Sequence, residues 1–177
     1  MKYLVASDIH GSLYYANKII EKFKEENCEK IILLGDLYYH GPRNPLPKDY
    51  NPMEVSKLFN SNKNVLEVIK GNCDAEVDEM ISEFSFNNHI IKEIGNKRYY
   101  FTHGHHQNID NIPSDIDVLV YGHFHTGYIK EHNNVICVNS GSVALPKNGT
   151  SNSYLIISEK DIELKDFIGN TINKIEL

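Results

Sequence analysis

Five short apolar runs each lead directly into a residue that can bind a cation or move a proton. Tyr3-Leu4-Val5-Ala6-Ser7 leads into Asp8-Ile9-His10-Gly11, and Ile31-Ile32-Leu33-Leu34 leads into Gly35-Asp36. Leu66-Glu67-Val68-Ile69-Lys70 precedes Gly71-Asn72-Cys73-Asp74, Tyr99-Tyr100-Phe101-Thr102 precedes His103-Gly104-His105, and Val118-Leu119-Val120-Tyr121 precedes Gly122-His123-Phe124-His125. Strand ends of neighbouring strands open on one crevice, so five such junctions can converge on one site. Asp8/His10 and His123/His125 are spaced i, i+2; in extended backbone such side chains point the same way and can grip a common centre.

Asp8, His10, Asp36, Asn72, His103, His123 and His125 form a set of seven oxygen and imidazole donors. That chemistry suits Mn²⁺, Fe²⁺, Zn²⁺ or Co²⁺ better than a lone Mg²⁺. Seven donors exceed one tetrahedral site and suit two ions sharing a bridging carboxylate. Two ions about 3.5–4 Å apart form a clamp for in-line displacement at phosphorus. Taken singly, each donor has an ordinary reading. Asp8 or Asp36 can cap a turn, Asn72 can be a turn residue, and the histidines can be solvated loop or strand-edge residues. The repeated strand-end setting favours the site. His89, His106 and His132 lack it. Ser12 reads as a helix cap rather than a nucleophile, and Cys28 and Cys137 as small apolar packing.

The elements that must position these residues alternate at first. A strand at 2–7 is followed by a helix with Ala16, Ile19, Ile20 and Phe23 on one face, then by a strand at 30–34. This pattern is a parallel βαβ unit. Residues 38–52 hold four of the six prolines and form a long loop. Asn51-Pro52-Met53-Glu54 starts a helix, 65–69 form a third strand, and Asp74 is placed as the cap of a short helix ending at Ile81. From residue 89 the pattern turns to hairpins, at 89–94/97–102, 127–132/135–139 and 162–168/171–176. Helical periodicity beyond 81 is confined to a short turn near 109–113. βαβ followed by hairpins implies a mixed α/β layer with a second sheet packed on it. The 177 residues read as a single domain, 1–177, with no linker or repeat.

The net charge of −6 argues against a broad nucleic-acid surface. Three widely spaced cysteines form no disulfide framework, Asp8 ends the first apolar run too early for a signal peptide, and no run approaches a membrane span. A cytoplasmic protein away from membranes is expected. Tyr38, Tyr39, Tyr50 and the 84–90 stretch are placed either at an apolar contact, which would make a homo-oligomer, or over the core.

Together these motifs resemble the calcineurin-like metallophosphoesterases. That family reads Asp-x-His, Gly-Asp, Gly-Asn-His-Asp/Glu, His, and Gly-His-x-His, each after a strand, and the likeness runs from residue 3 to about 157. Gly35-Asp36-Leu37-Tyr38-Tyr39-His40-Gly41-Pro42-Arg43-Asn44, Gly71 to Asp78, and Asn139-Ser140-Gly141-Ser142-Val143 look most like the small phosphodiesterases of the YfcE type. The resemblance implies a sandwich of two mixed β-sheets flanked by helices. It implies that Asp8, His10, Asp36 and His125 hold one metal. Asp36, Asn72, His103 and His123 would hold the other, with Asp36 bridging. It places His105 behind the metals and His40 towards the substrate. Two departures stand out. Tyr39 replaces the second Asp of a Gly-Asp-x-x-Asp motif, and Cys73 replaces the His that orients phosphate or protonates the leaving group.

The implied activity is hydrolysis of small or nucleotide-type phosphodiesters by in-line attack of a metal-bridging hydroxide. Mn²⁺ is the first expectation, with Ni²⁺, Co²⁺, Fe²⁺ or Zn²⁺ as alternatives, and the expected partner is a small-molecule phosphodiester substrate. Cys73 is catalytic or a compact space-filler, with water or His40 as replacement acid. Arg43, Lys48 and Lys147 are the local cations. The alternatives are a phosphomonoesterase, an interaction scaffold on the same fold, and a metal sensor.

Overall fold

Short apolar runs separated by turn residues become strands, and two stretches of helical period become the main helices. The computed structural model describes residues 1–177. Its first strands are β1 (Tyr3–Ala6), β2 (Lys30–Leu33), β3 (Leu66–Ile69) and β4 (Phe86–Asn87). They are interleaved with helices α1 (Leu13–Glu25), α2 (Pro52–Ser61) and α3 (Glu76–Ile81). Strands β5 (Ile90–Ile94), β6 (Lys97–Phe101), β7 (Val118–Tyr121), β8 (Tyr128–His132) and β9 (Val135–Asn139) follow. β10 (Ser153–Ile157), β11 (Asp161–Asp166) and β12 (Thr171–Glu176) end the chain.

The strands form a seven-stranded sheet, β12-β11-β10-β1-β2-β3-β4, and a five-stranded sheet, β5-β6-β7-β9-β8. Both are mixed: β1 is parallel to β2 and antiparallel to β10, while β7 is parallel to β6 and β9, and β5 and β8 run antiparallel to their neighbours β6 and β9. The pairing of β1 with β10 sets Tyr3 opposite Ile157. Alternate residues of β1 face opposite layers. Tyr3 and Val5 meet Tyr99, Phe101, Val118 and Val120 between the sheets. Leu4 and Ala6 meet Ala16, Ile19, Val55 and Phe59 of the helices. The helices thus cover the outer face of the larger sheet. Ile109, Ile112 and Ile116, on the connection before β7, cover the outer face of the smaller one.

Local signals held at most ends. The Ser12 side chain accepts the Tyr15 N–H, and Asn51 caps α2 with Pro52 at its first position. Asp74 is not the cap of α3. Ala75 occupies that position, and the Asp74 carboxylate turns inward to backbone N–H groups. Tyr38 is buried, and Phe84 and Phe86 pack on the helix-side core, so these aromatics cover the core. Tyr39 is 42% exposed. No helix is long and apolar enough to cross a membrane.

Candidate metal centre

Each strand-end loop delivers its polar side chain to the same crevice. Asp8, Asp36 and Asn72 follow β1, β2 and β3 of the larger sheet; His103, His123 and His125 follow β6 and β7 of the smaller one. Five of the seven candidate donors sit in the left-handed region: Asp8 (φ 58°), His10 (49°), Asp36 (56°), His123 (64°) and His125 (59°). Such backbone costs of order 1–3 kcal/mol per residue and clusters at functional sites. The extended i, i+2 geometry expected for the two pairs is therefore not what brings them in. Asp8 and His10 still converge, with Nε2 of His10 3.6 Å from Asp8 Oδ1. His123 and His125 diverge: His123 meets Asn72 and His103, whereas His125 meets Asp8 and His10.

Glycine makes the convergence possible at two places. A Cβ on Gly71 would overlap the Asp36 carboxylate, and one on Gly122 would overlap Ser7 and the Asp8 carboxylate. Backbone packs directly against each carboxylate.

Nδ1 of His10 lies 2.7 Å from the Tyr39 carbonyl, Nδ1 of His103 2.8 Å from that of Leu34, and Nδ1 of His125 2.6 Å from that of Leu145. A carbonyl only accepts, so each Nδ1 carries a proton, and the neutral ring turns its Nε2 lone pair inward. The three Nε2 atoms converge on acceptors. That of His10 faces that of His125 at 3.3 Å. His103 Nε2 lies 3.3 Å from His123 Nδ1, 2.9 Å from Asn72 Oδ1 and 3.5 Å from Asp36 Oδ1. Asp36 Oδ2 lies 3.7 Å from His10 Nε2. Asp8 Oδ1 is buried with no hydrogen-bond partner, 3.2 Å from His125 Nε2. Inward lone pairs beside an orphaned carboxylate oxygen fit divalent cations of borderline hardness. Nδ1–H donation to backbone carbonyls is the usual outer support of metal-binding imidazoles.

Three groups of side chains have donor atoms close enough to share an ion: Asp8-His10-His125, Asp8-Asp36-His103 and His10-Asp36-Cys73. Asp8, His10 and Asp36 each belong to two of them. Cys73 is the addition: its thiol stands with His10 and Asp36, although the sequence suggested only an acid's position or a filler.

Burial works against charge on Asp8, but the neighbouring imidazoles of His10, His125 and His103 prevail and hold its carboxyl well below the ordinary range. Burial, reinforced by Asp36, pushes the Cys73 thiol up to about 12. Burial and neighbouring His103 lower His105 to about 4. Both side chains are uncharged at neutral pH.

A cleft of ≈ 690 Å³ opens over the crevice. Arg43 and Lys147 line it. Lys48 instead lies 3.5 Å over the Tyr14 ring. His40 does not line the cleft: its ring packs edge-on against Tyr39 and Tyr50, with Nδ1 3.4 Å from the Tyr50 hydroxyl. His105 lies behind His103, with ring centroids 5.4 Å apart. Sequence reasoning missed Asp74 as the carboxylate that fixes the strand ends, because Asp before a short helix mimics a cap.

Residues 1–161 match the calcineurin-like phosphoesterase superfamily domain. The chain belongs to that superfamily. It is 38% identical over 159 residues to phosphodiesterase YfcE of Escherichia coli K12, covering 87% of this chain and 85% of that one. The solved structure of E. coli YfcE, described as a phosphoesterase, superposes with a TM-score of 0.95 at 33% identity, covering 99% of this chain and 98% of that one. A single-substitution variant of Vps29 from Entamoeba histolytica shares the fold, with a TM-score of 0.67 at 18% identity over 100% of this chain and 99% of that one. Family, likeness to YfcE and the Asp/His clusters together identify a metal-dependent phosphoesterase.

Proposed function

We propose that this chain is a two-metal phosphodiesterase acting on small or nucleotide-type phosphodiesters, with all of 1–177 as one domain. Asp8, His10, Asp36 and His125 hold one ion; Asp36, Asn72, His103 and His123 hold the other; Asp36 bridges. Mn²⁺ is the first choice among Mn²⁺, Ni²⁺, Co²⁺, Fe²⁺ and Zn²⁺. The observation that carries the reading is the convergence of unprotonated Nε2 atoms on the partnerless Asp8 Oδ1. The bound ions supply Lewis acidity, which lowers the pKa of water and offsets charge growing on phosphoryl oxygens.

The chain's own residues do the rest. Arg43 and Lys147 attract the phosphate anion into the cleft, which a protein of net charge −6 cannot do at long range. Asn72 contributes a neutral oxygen, so the centre is less repulsive to an anion than one with a third carboxylate. A thiol at about 12 is a poor acid, which favours leaving groups that need little help. The acidic surface and three free cysteines support a cytoplasmic enzyme without nucleic-acid or membrane partners.

The test is hydrolysis of bis(4-nitrophenyl) phosphate by chelator-treated protein, before and after each metal is restored. Turnover that returns with metal supports the reading. A metal-loaded protein without diester turnover refutes it and leaves the phosphomonoesterase, the scaffold or the sensor.

A further inference from the structure

A second cavity of ≈ 290 Å³ opens beside the cleft and shares Tyr39, Cys73 and Ala75 with it. Its other walls include Tyr50, Pro52 and Val77. No cationic side chain lines it. Its one carboxylate, Asp78, is buried and accepts the Ala75 N–H at 2.8 Å. The buried Tyr38 hydroxyl is engaged with Ser82 at 2.7 Å. The walls are thus mainly apolar and aromatic, and the buried Asp78 and Tyr38 side chains are already engaged.

Fixed backbone holds these walls against the metal centre. The Tyr39 carbonyl accepts from His10, while its exposed side chain borders the cavity. Gly11 N–H donates to Leu37 O, Asn51 N–H donates to Gly11 O, and Ser12 pairs with Tyr50 as an isolated bridge. Both ends of the proline-rich loop are therefore tied to the segment after β1. His40 packs edge-on against both Tyr39 and Tyr50.

We propose that this cavity holds a planar aromatic ring on one ester arm of the substrate, while the phosphate lies in the cleft beside it. The proposal rests on the phosphodiesterase reading above. The volume suits one ring system, tyrosine faces stack on flat groups, and the absence of positive charge disfavours a second phosphate. The ring can be a simple aryl group or a nucleobase, which share this chemistry.

The test uses two pairs of competitive inhibitors against bis(4-nitrophenyl) phosphate with metal-loaded protein. Benzylphosphonate is compared with methylphosphonate, and thymidine 5′-phosphate with 2-deoxyribose 5-phosphate. A ring should tighten inhibition about tenfold in at least one pair, roughly the gain from one well-packed ring. The responding pair distinguishes aryl arm from nucleobase. Val77→Asp puts a carboxylate in the wall at an exposed site in the first turn of α3, where an acid suits the helix. With it, and with Tyr39→Ala, that ratio should fall to within about twofold of one. Ratios near one in the unaltered protein, or ratios that ignore both substitutions, overturn the proposal. Ratios near one in a dimer that Val77→Asp dissociates assign the cavity to a second copy instead. Absence of metal-dependent turnover in the same assay refutes the underlying phosphodiesterase reading.

Discussion

The buried carboxylate of Asp74 accepts the backbone N–H of Asp36 at 2.8 Å. It also takes the N–H groups of Leu37 at 2.8 Å and Gly71 at 2.7 Å. One side chain thus ties together the strand ends that carry Asp36 and Asn72. Asp74→Asn presents an amide NH₂ to N–H donors and leaves at least one unpaired, at about 1–3 kcal/mol. Thermal melts should show that loss. Calorimetric titration should show metal affinity about 10–100-fold weaker. Unchanged affinity would remove Asp74 from any positioning role.

Gly71→Ala should be severe for a steric reason. The added Cβ overlaps the Asp36 carboxylate, and Gly71 itself is not in the left-handed region. We expect turnover to fall more than about a hundredfold, beyond the usual loss from an outer partner. Steady-state kinetics with saturating metal checks it; near-normal turnover would mean that Asp36 can move without consequence.

Metal should stabilise the fold measurably. At about 100 times Kd a ligand adds about 2.7 kcal/mol, or roughly 5–10 °C in Tm for a chain of this size. In Asp36→Ala, which removes a member of two of the three donor groups, most of that shift and nearly all turnover should vanish. Scanning calorimetry with and without Mn²⁺ reads the first, and a chromogenic assay the second. Retained turnover would count against bridging.

Cys73→His tests the missing acid. The thiol, pushed to about 12, is a poor acid for a leaving group at neutral pH, whereas an imidazolium is a good one. Rates for poor leaving groups should rise by about 10²-fold or more, with little change for 4-nitrophenolate. A plot of log rate against leaving-group pKa should flatten. An identical slope in both proteins would make the position a filler.

Glu26 carries an acid-sensitive part of stability away from the site. Burial opposes its charge, but Lys165 and Lys2 bind it and hold its pKa below the ordinary value. A depressed carboxylate stabilises fully above its unfolded pKa of about 4.3 and ceases to do so as pH falls through the folded value. Glu26→Gln should therefore cost about 1 kcal/mol at pH 7, with the gap closing towards pH 3. Denaturant melts at several pH values measure it; a constant gap would mean that charge is not the cause.

Legibility followed the range of the physical signal. Strand-end donors were visible because an apolar run followed by Asp, His or Asn is a local pattern. α1 and α2 were visible because Ser12 and Asn51 cap them as their side chains suggest. The Ser153–Ile157 strand carries no donor and belongs to no tight turn with β1, so its central place rests on a pairing across the whole chain. The left-handed backbone of Asp8 and His10 is set by tertiary bonds, His10 N–H to Asp36 O and Asp8 N–H to Gly35 O, which no local period encodes. Asp74 misled for the same reason: its partners are Asp36 and Leu37 as well as Gly71.

The pairing of β1 with β10 orders events during synthesis. The strand that carries Asp8 lies between β2 and β10, so one of its two edges stays open until residue 157 has emerged from the ribosome. Contacts of such separation close late and slowly. A nascent chain halted after β9 holds every donor of the crevice but lacks the neighbour that locks the first of them, so catalytic competence arrives with the closing strands.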